Sequence, residues 1–249
     1  MPTAGRVALC AVLCCSAIAA ACSGRVLKPQ YEYEEELYLD LDGSATLNLN
    51  ASVPALVALH GADLPTDARA RLDRDRVRAL FAYPGSDVTL STSRRDGRRF
   101  VHVSVQVDDV RRLAQIRMFG WSTYDFRRDS DRIDFNQVVG PSRGRDVGDV
   151  GWDGSELIAF RMHLPSEILF HNSSADVRRG NILEWEQSLS ARSGGEPLEL
   201  RVQMAPESIL YTTLLLFGST VVAAALTFAA VVWWLARRGR HTDIAESPV

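Results

Sequence analysis

The segment from Ile209 to Leu235 constrains this chain most, because it is 27 residues long and carries no charged side chain. About 20 predominantly apolar residues are enough to cross the hydrocarbon core of a bilayer. A helix buried in a soluble core is the alternative, but such helices seldom run this far without a polar face. The pattern therefore predicts a transmembrane helix over 209–235, followed by a short tail over 236–249.

The residues beside this segment indicate its orientation. Its downstream end carries Trp233 and Trp234, and indole rings favour the membrane–water interface. Positive side chains close to a span are retained on the cytoplasmic side, and here they are Arg237, Arg238 and Arg240. We therefore expect a single-pass protein whose N-terminal part lies outside the cytoplasmic membrane and whose tail lies in the cytoplasm.

Residues 1–21 have the pattern of a secretory signal peptide, in which Arg6 is followed by a run without charge. The exit sequence Ala-Ala-Ala-Cys at 19–22 resembles a bacterial lipobox, in which the cysteine thiol takes a diacylglycerol. This chain departs from that pattern at one position, because it has alanine where leucine is preferred. We expect Cys22 to be the lipid attachment site of a bacterial protein. Ordinary cleavage that leaves Cys22 unmodified is the alternative.

Composition excludes several classes of function for residues 23–208. All four cysteines of the chain lie within residues 1–22, so this segment holds no disulfide, cysteine-ligated zinc cluster or cysteine nucleophile. It has 24 basic and 29 acidic residues, a net charge of −5. That charge does not favour nucleic acid or an anionic bilayer as its main partner.

Alternating apolar and polar residues predict a series of strands. Two β-hairpins are expected, one around the turn dipeptide Asp42-Gly43 and one around Asp96-Gly97. Further strands are predicted at 121–126, 133–139, 157–164, 168–171, 182–188 and 198–204. Apolar residues at helical spacing predict one helix from Pro65 to about Tyr83, capped by Thr66, and a shorter helix capped by Asp108 or Asp109.

These elements predict an α+β fold for an extracytoplasmic domain over 22–208. Hairpin-linked strands indicate a mainly antiparallel sheet, and the helical patterns indicate two short helices beside it. One C-terminal transmembrane helix completes the expected architecture.

The C-terminal half carries a pattern that resembles a known family. Ile158 to Pro165 leads to the segment from Gly180 to Glu186, and a Ser208-Ile209-Leu210-Tyr211 start to the span follows. Together with the opening hairpin, this sequence is similar to the LppM-like domain of bacterial envelope lipoproteins. The resemblance implies an extracytoplasmic, membrane-anchored α+β domain, with a fold like that of lipid-binding proteins in the mycobacterial member. It implies no catalytic residues.

Candidate chemical motifs are weak throughout the chain. His163, Glu167 and His171 are spaced four apart, but Pro165 and the residues around it favour strands over the helix of zinc hydrolases. The Asp40–Gly43 segment lacks the further oxygen ligands of a calcium loop and is predicted to be a tight turn. No nucleophile stands in an elbow context and no glycine-rich phosphate loop is present. We expect no metal, no cofactor and no catalytic residue.

The predicted function is a non-catalytic, membrane-anchored extracytoplasmic binding or adaptor module. Its expected ligand is a lipid or glycolipid held in an apolar groove, or a partner protein of the cell envelope. A structural subunit that assembles an envelope membrane complex is the alternative. Within the domain, Trp185 and Leu183 are predicted to face the core, and Glu184 and Glu186 are predicted to face water, because the two pairs have opposite parity on one strand.

Overall fold

A computed structural model describes residues 31–242, apart from the side chains of 212 and 239–242. The predicted signal peptide, Cys22 and the last seven residues lie outside the described part. The described elements are β1 (Tyr31–Leu39), β2 (Ala45–Ser52), α1 (Val53–His60), α2 (Arg74–Phe81), β3 (Asp87–Arg95), β4 (Arg98–Val107), a 3₁₀ helix (Val110–Gln115), β5 (Ser122–Arg128), β6 (Ile133–Val139), β7 (Leu157–His163), β8 (Ser166–His171), β9 (Ile182–Ser188), α3 (Leu189–Ser193), β10 (Leu198–Ser208) and α4 (Ile209–Thr242).

The strands form two sheets that pack against each other. Sheet 1 has the strand order β3-β4-β2-β1-β7-β9, and sheet 2 has the order β5-β6-β10-β8. The α+β class is confirmed. The expectation of one mainly antiparallel sheet is incomplete, because there are two sheets and β1 pairs with β7 in parallel. Parallel partners require a long crossover, and here the crossover contains β2 to β6, so no local pattern indicates the pairing.

Both predicted hairpins are confirmed, and each turn has the backbone that its sequence favours. Gly43 has φ +89° between β1 and β2, while Asp96 and Gly97 have φ +50° and +72° between β3 and β4. A positive φ at both central residues is typical of the two-residue hairpin turn. A side chain on Gly43 would also clash with the ring of Phe126, at 2.8 Å from its Cε1.

The hydrophobic core fills the space between the two sheets. Alternate residues of the strands face inward, and α1 closes one end of this layer with six buried residues. Trp185 is 5% exposed and Leu183 is fully buried, as predicted. The prediction for Glu184 is wrong, since it is 3% exposed. The segment after β8 covers it, with Ser173 donating to the Glu184 carbonyl and Arg178 pairing with its carboxylate.

The helices differ most from the sequence-based predictions. The helix predicted from Pro65 exists only as α2, because Asp73 caps it by accepting from the backbone N–H groups of Asp75 and Arg76. The cap at Thr66 is therefore wrong. Asp109 caps the 3₁₀ helix, which ends at Gln115. Helix α1 was not predicted, since it is apolar on all sides and lacks a helical period.

Strand β10 passes directly into α4, without an intervening linker. Ser208 at the end of β10 pairs with Ser166 of β8, and the Ile209 N–H donates to the Pro165 carbonyl at 3.2 Å. Residues 209–238 of α4 are long and apolar enough to cross a membrane, with a mean hydropathy of 2.2 in the most apolar window. This helix near the C-terminus indicates that the protein associates with a membrane.

Candidate ligand-binding site

Strand alternation makes the outer face of sheet 1 polar. Glu34, Glu35 and Glu36 are consecutive on β1, so the first and third face outward while Glu35 faces sheet 2. The strand registers extend each outward position into a row across the sheet. One row is Glu184, Arg161, Glu36, Asn48, Ser104 and Thr89, and the other is Glu186, Ala159, Glu34, Asn50, His102 and Ser91.

The members of these two rows on β1, β2, β4 and β3 line an open groove of about 470 Å³. The groove therefore offers carboxylates on one wall, carboxamides along the floor, and hydroxyl groups with an imidazole on the other wall. Such groups donate and accept hydrogen bonds without carrying a large net charge. The polar side chains that line it are Glu34, Glu36, Asn48, Asn50, Thr89, Ser91, His102 and Ser104.

Arg161 neutralises much of the acidic wall. Its guanidinium pairs with the Glu34 carboxylate, lies 2.8 Å from that of Glu184, and lies 3.9 Å from that of Glu36. Arg178 pairs with Glu184 from the covering segment. Arg161 and Arg178 offset only part of the charge of Glu34, Glu36, Glu184 and Glu186, so this end of the groove disfavours a strongly anionic ligand.

Asn50 and His102 are neighbours across β2 and β4 in the groove. Asn50 Nδ2 donates to Glu34 Oε2 at 3.3 Å, while its Oδ1 is buried and has no hydrogen-bond partner in the described part of the chain. His102 lies beside it, with Nε2 at 2.7 Å from the Ser93 hydroxyl. Burial and the charge of Arg95 hold the pKa of His102 below its usual value, so this imidazole is neutral at neutral pH.

An aromatic surface adjoins the acidic wall of the groove. The ring of Tyr38 stacks on His163, with centroids 4.0 Å apart and planes 12° apart. Tyr38 is 39% exposed and follows Glu36 by two residues on the same face of β1. A flat aromatic ring beside hydrogen-bonding groups is suited to a ligand with both an apolar face and hydroxyl groups.

Three further surface grooves on the two-sheet domain are also open and carry charged side chains. One lies against Arg145 and Asp146, a second against Asp134 and Arg201, and a third contains Asp67, Arg69 and Asp149. These grooves offer a ligand polar contacts more than the apolar contacts expected from the sequence. The apolar side chains between the sheets pack against one another as a core.

The predicted membrane residues lie at the far end of α4. Trp233 and Trp234 are 57% and 48% exposed, and the guanidinium groups of Arg237 and Arg238 lie 3.9 Å and 4.0 Å from the centroids of these rings. The side chain of Arg240 and the whole of Cys22 lie outside the described residues. The structure therefore brings the two tryptophans and two of the arginines together, while lipidation and orientation stay predictions.

The histidines and acids considered as metal ligands do not converge. His163 ends β7, where its Nε2 lies 3.8 Å from Glu36, while Glu167 and His171 lie on β8 in the other sheet. Within residues 31–242, no group of three or more His, Cys, Asp or Glu side chains is placed to hold a metal ion.

Comparison with known proteins yields one weak similarity. No family model matches the chain, and no curated protein matches it. Among solved structures, the NMR structure of the folded domain of LppM from Mycobacterium tuberculosis is similar to it, with a TM-score of 0.39 and 12% identity. The match covers 73% of this chain and 94% of the LppM domain. Membership of the LppM-like family stays a prediction from the sequence.

Proposed function

We propose that this chain is a non-catalytic, membrane-anchored binding module whose ligand contacts the outer face of sheet 1. The observation that carries this proposal is the groove lined by two rows of polar side chains, with the exposed ring of Tyr38 two residues beyond Glu36 on the same face of β1. Carboxylate, carboxamide, hydroxyl and neutral imidazole groups match a neutral ligand rich in hydroxyl groups. The saccharide head of a glycolipid has this chemistry.

The position of the groove supports a ligand from the membrane. Tyr38 pairs with His163, two residues before the Pro165 carbonyl that holds the start of α4. The groove begins at Glu36, two residues further from α4, and each strand residue adds about 3.3 Å. A glycolipid could therefore place its head in the groove while its acyl chains stay in the bilayer. This differs from the apolar groove expected from the sequence.

The test is mass spectrometry of lipids that co-purify with the full chain. A sugar-free detergent is needed, because a glycosidic detergent would compete for the groove. The double variant Asn48→Ala/Asn50→Ala should lose a glycolipid that the wild type retains. Asn136→Ala changes the same residue type on the outer face of sheet 2 and should retain it. Equal amounts of co-purified glycolipid in all three proteins would show that the groove is not the binding site.

We also propose the topology that the sequence indicates, with the ectodomain outside and the tail in the cytoplasm. The support is the adjacency of α4 to Arg237 and Arg238, since positive side chains beside a span are retained inside. A protease added to spheroplasts should degrade the ectodomain and spare an epitope on the tail. An intact ectodomain after this treatment would reverse the topology.

Lipidation of Cys22 is proposed from the lipobox resemblance. A labelled fatty acid should enter the wild type, and Cys22→Ser should lose the label. The variant should nevertheless remain in the membrane fraction, because a spanning helix holds a protein far more strongly than one lipid. Equal label in both proteins would show that another residue is the acceptor.

One observation favours the second candidate function, a structural subunit of a membrane complex. Leu169 and Phe170 are 54% and 49% exposed on β8, the edge strand of sheet 2. Exposed apolar residues on an unpaired edge are suited to a protein contact. If this contact dominates, Leu169→Ser/Phe170→Ser should reduce the mass of the complex in native electrophoresis, while Asn48→Ala/Asn50→Ala should leave it unchanged.

A further inference from the structure

A carboxyl group lies in the apolar layer between the two sheets. Glu35 is 2% exposed and faces inward from β1. Its row on sheet 1 is otherwise apolar, comprising Trp185, Phe160, Leu49, Val103 and Leu90. Burial of an ionisable group in such a row is costly, so this glutamate needs an explanation other than packing.

Glu35 connects the two sheets through hydrogen bonds. Oε1 accepts from the hydroxyl of Tyr33 on the same strand, and Oε2 accepts from Gln137 Nε2 at 3.4 Å. Gln137 lies on β6 of sheet 2, and its Nε2 is also 3.4 Å from the Ser122 hydroxyl on β5. These contacts form a polar junction within a layer that is otherwise held by apolar packing.

The groups around this junction leave a buried carboxylate poorly compensated. Burial raises the pKa of Glu35 to about 7, although the hydrogen bonds from Tyr33, Gln137 and Trp121 act in the opposite direction. Tyr33 and Tyr124 face it from β1 and β5, and burial raises the pKa of each phenol further above its usual value. Both phenols therefore stay neutral.

Helices α1 and α3 contribute two further ionisable side chains. The ring centroid of His60 on α1 lies 5.3 Å from that of Tyr33, and burial and the charge of Arg143 lower the pKa of His60 to about 3, so it is neutral above that pH. The buried Arg192 of α3 donates to the Val139 carbonyl and lies 6.0 Å from the centroid of the Trp121 ring. No ion pair joins a cation to Glu35 among the described residues, so ionisation would leave a poorly compensated negative charge in a medium of low polarity.

We propose that Glu35 is a pH-sensitive latch between the two sheets: the sheets stay closed while the buried acid is neutral, and its ionisation, which places a charge in the apolar layer with no cation partner among the described residues, loosens them. The loosened state would admit water to the contact of β1 with β5 and β6. This inference rests on the intersheet contacts and not on the polar groove, so either proposal can fail while the other stands. A domain outside the cytoplasm would meet the external pH directly.

The sign of the effect follows from the two states of the acid. Below its ordinary pKa of 4.5, Glu35 is neutral whether the junction is closed or open, and the stabilisation of the closed state is complete. Between that pH and about 7 the open state releases the proton first, so closure weakens as the pH rises. Above about 7 both states are ionised and the loss levels off.

Hydrogen exchange of the full chain in nanodiscs tests this proposal. The variant Glu35→Gln keeps the shape and cannot ionise. The measured quantity is the protection of β1, β5 and β6 amides in the wild type divided by that in Glu35→Gln. Between about pH 5.5 and pH 8.5 this ratio should fall by roughly 10–30-fold. Taking a ratio cancels the titration of His60 and the intrinsic pH dependence of exchange, because both proteins share them.

Two further variants make each outcome decisive. Glu167→Gln removes an exposed carboxyl on β8. The amide protection of the wild type divided by that of Glu167→Gln should therefore not change with pH. Gln137→Met removes the hydrogen-bond donor on sheet 2 but keeps the carboxyl group of Glu35. Because this hydrogen bond lowers the pKa of Glu35, the protection of the β1, β5 and β6 amides should fall at a higher pH in the variant than in the wild type. A ratio for Glu35→Gln that is constant across the range would overturn the latch. If Glu35→Gln does not fold, an unshifted transition in Gln137→Met would overturn it.

Discussion

The two faces of β1 place the same residue type in opposite environments. Outside, Glu34 and Glu36 share the guanidinium of Arg161 and line an open groove. Inside, Glu35 accepts only neutral hydrogen bonds and lies among aromatic and aliphatic side chains. The buried glutamate on the inner face bears on stability and its dependence on pH, whereas the proposed ligand contacts the outer face. Variants on the two faces should therefore differ in whether they change stability or binding.

The largest effect is expected inside, at Trp185. Its ring is 5% exposed and its Nε1 donates to Asn172 Oδ1 at 3.0 Å. Trp185→Ala should lower the free energy of unfolding by about 3–5 kcal/mol, because a large aromatic leaves a cavity. Chemical denaturation followed by circular dichroism measures this. Trp185→Phe retains most of the ring and should lose less than half as much. If Trp185→Ala keeps its stability but loses a bound lipid, Trp185 contacts the ligand and is not a core residue.

A smaller loss of stability is expected outside, at Arg161. Arg161→Ala leaves the buried Glu184 with Arg178 as its remaining ion-pair partner, so we expect a loss of about 2–3 kcal/mol. The matched control is Arg201→Ala, which breaks an exposed pair with Glu199 and should leave the stability nearly unchanged. Equal losses in the two variants would mean that the outer ion cluster contributes no more than an ordinary surface pair.

The pH dependence of stability should show two opposing slopes. The raised pKa of Glu35 makes stability fall as pH rises from 4.5 to about 7, and the lowered pKa of His60 makes it fall as pH drops from 6.5 towards about 3. Between pH 4.5 and 6.5 the slopes nearly cancel, at about 1.4 kcal/mol per pH unit each. Glu35→Gln should therefore lose stability on acidification in this range.

The reciprocal variant completes the pH prediction. His60→Leu removes the histidine slope, so this protein should gain stability on acidification from pH 6.5 to 4.5. Denaturant titrations at three pH values measure both slopes. Slopes of the same sign in the two variants would contradict the assignment of opposite roles to these buried groups.

The smallest effect is expected for Asn48, whose side chain lies on the outer face between Glu36 and Ser104. Asn48→Ala should change the free energy of unfolding by no more than about 0.5 kcal/mol, because it removes no buried contact. Its neighbour Leu49 faces inward at 2% exposure, and Leu49→Ala should cost about 2–5 kcal/mol. A large loss in Asn48→Ala would show that the outer face is structural and weaken its assignment as a binding surface.

Local patterns in the sequence predicted the elements better than their assembly. Period-two alternation identified β2 and both hairpins, because such strands bury one face. The same alternation places Asn48 and Asn50 on one side of β2. Their alignment with His102 and Ser104 follows from pairing across the sheet, so the groove was not predictable from any one segment.

The errors in the prediction have equally local causes. Helix α1 has Ser52 as its cap and Gly61 in a left-handed conformation at its end, which are recognisable signals. Its apolar residues, however, follow no helical period. Strand β2 ends directly before this helix, so the sequence does not show where the strand stops and the helix begins. Glu184 was expected in water because of its parity, but the segment that joins β8 to β9 folds over it.

The direct passage of β10 into α4 limits how far the groove can move from the start of the membrane helix. Because the Ile209 N–H donates to the Pro165 carbonyl and Ser208 pairs with Ser166, no flexible linker separates the strands from the helix. Counted along β7 and β1, the end of the groove at Glu36 and Glu34 is roughly 13–20 Å of strand length from Pro165. If the proposed glycolipid ligand is correct, its head must be long enough to cover this distance. An extended saccharide would meet that requirement and a phosphate-sized head would not, so the length of the head would select ligands before its chemistry does.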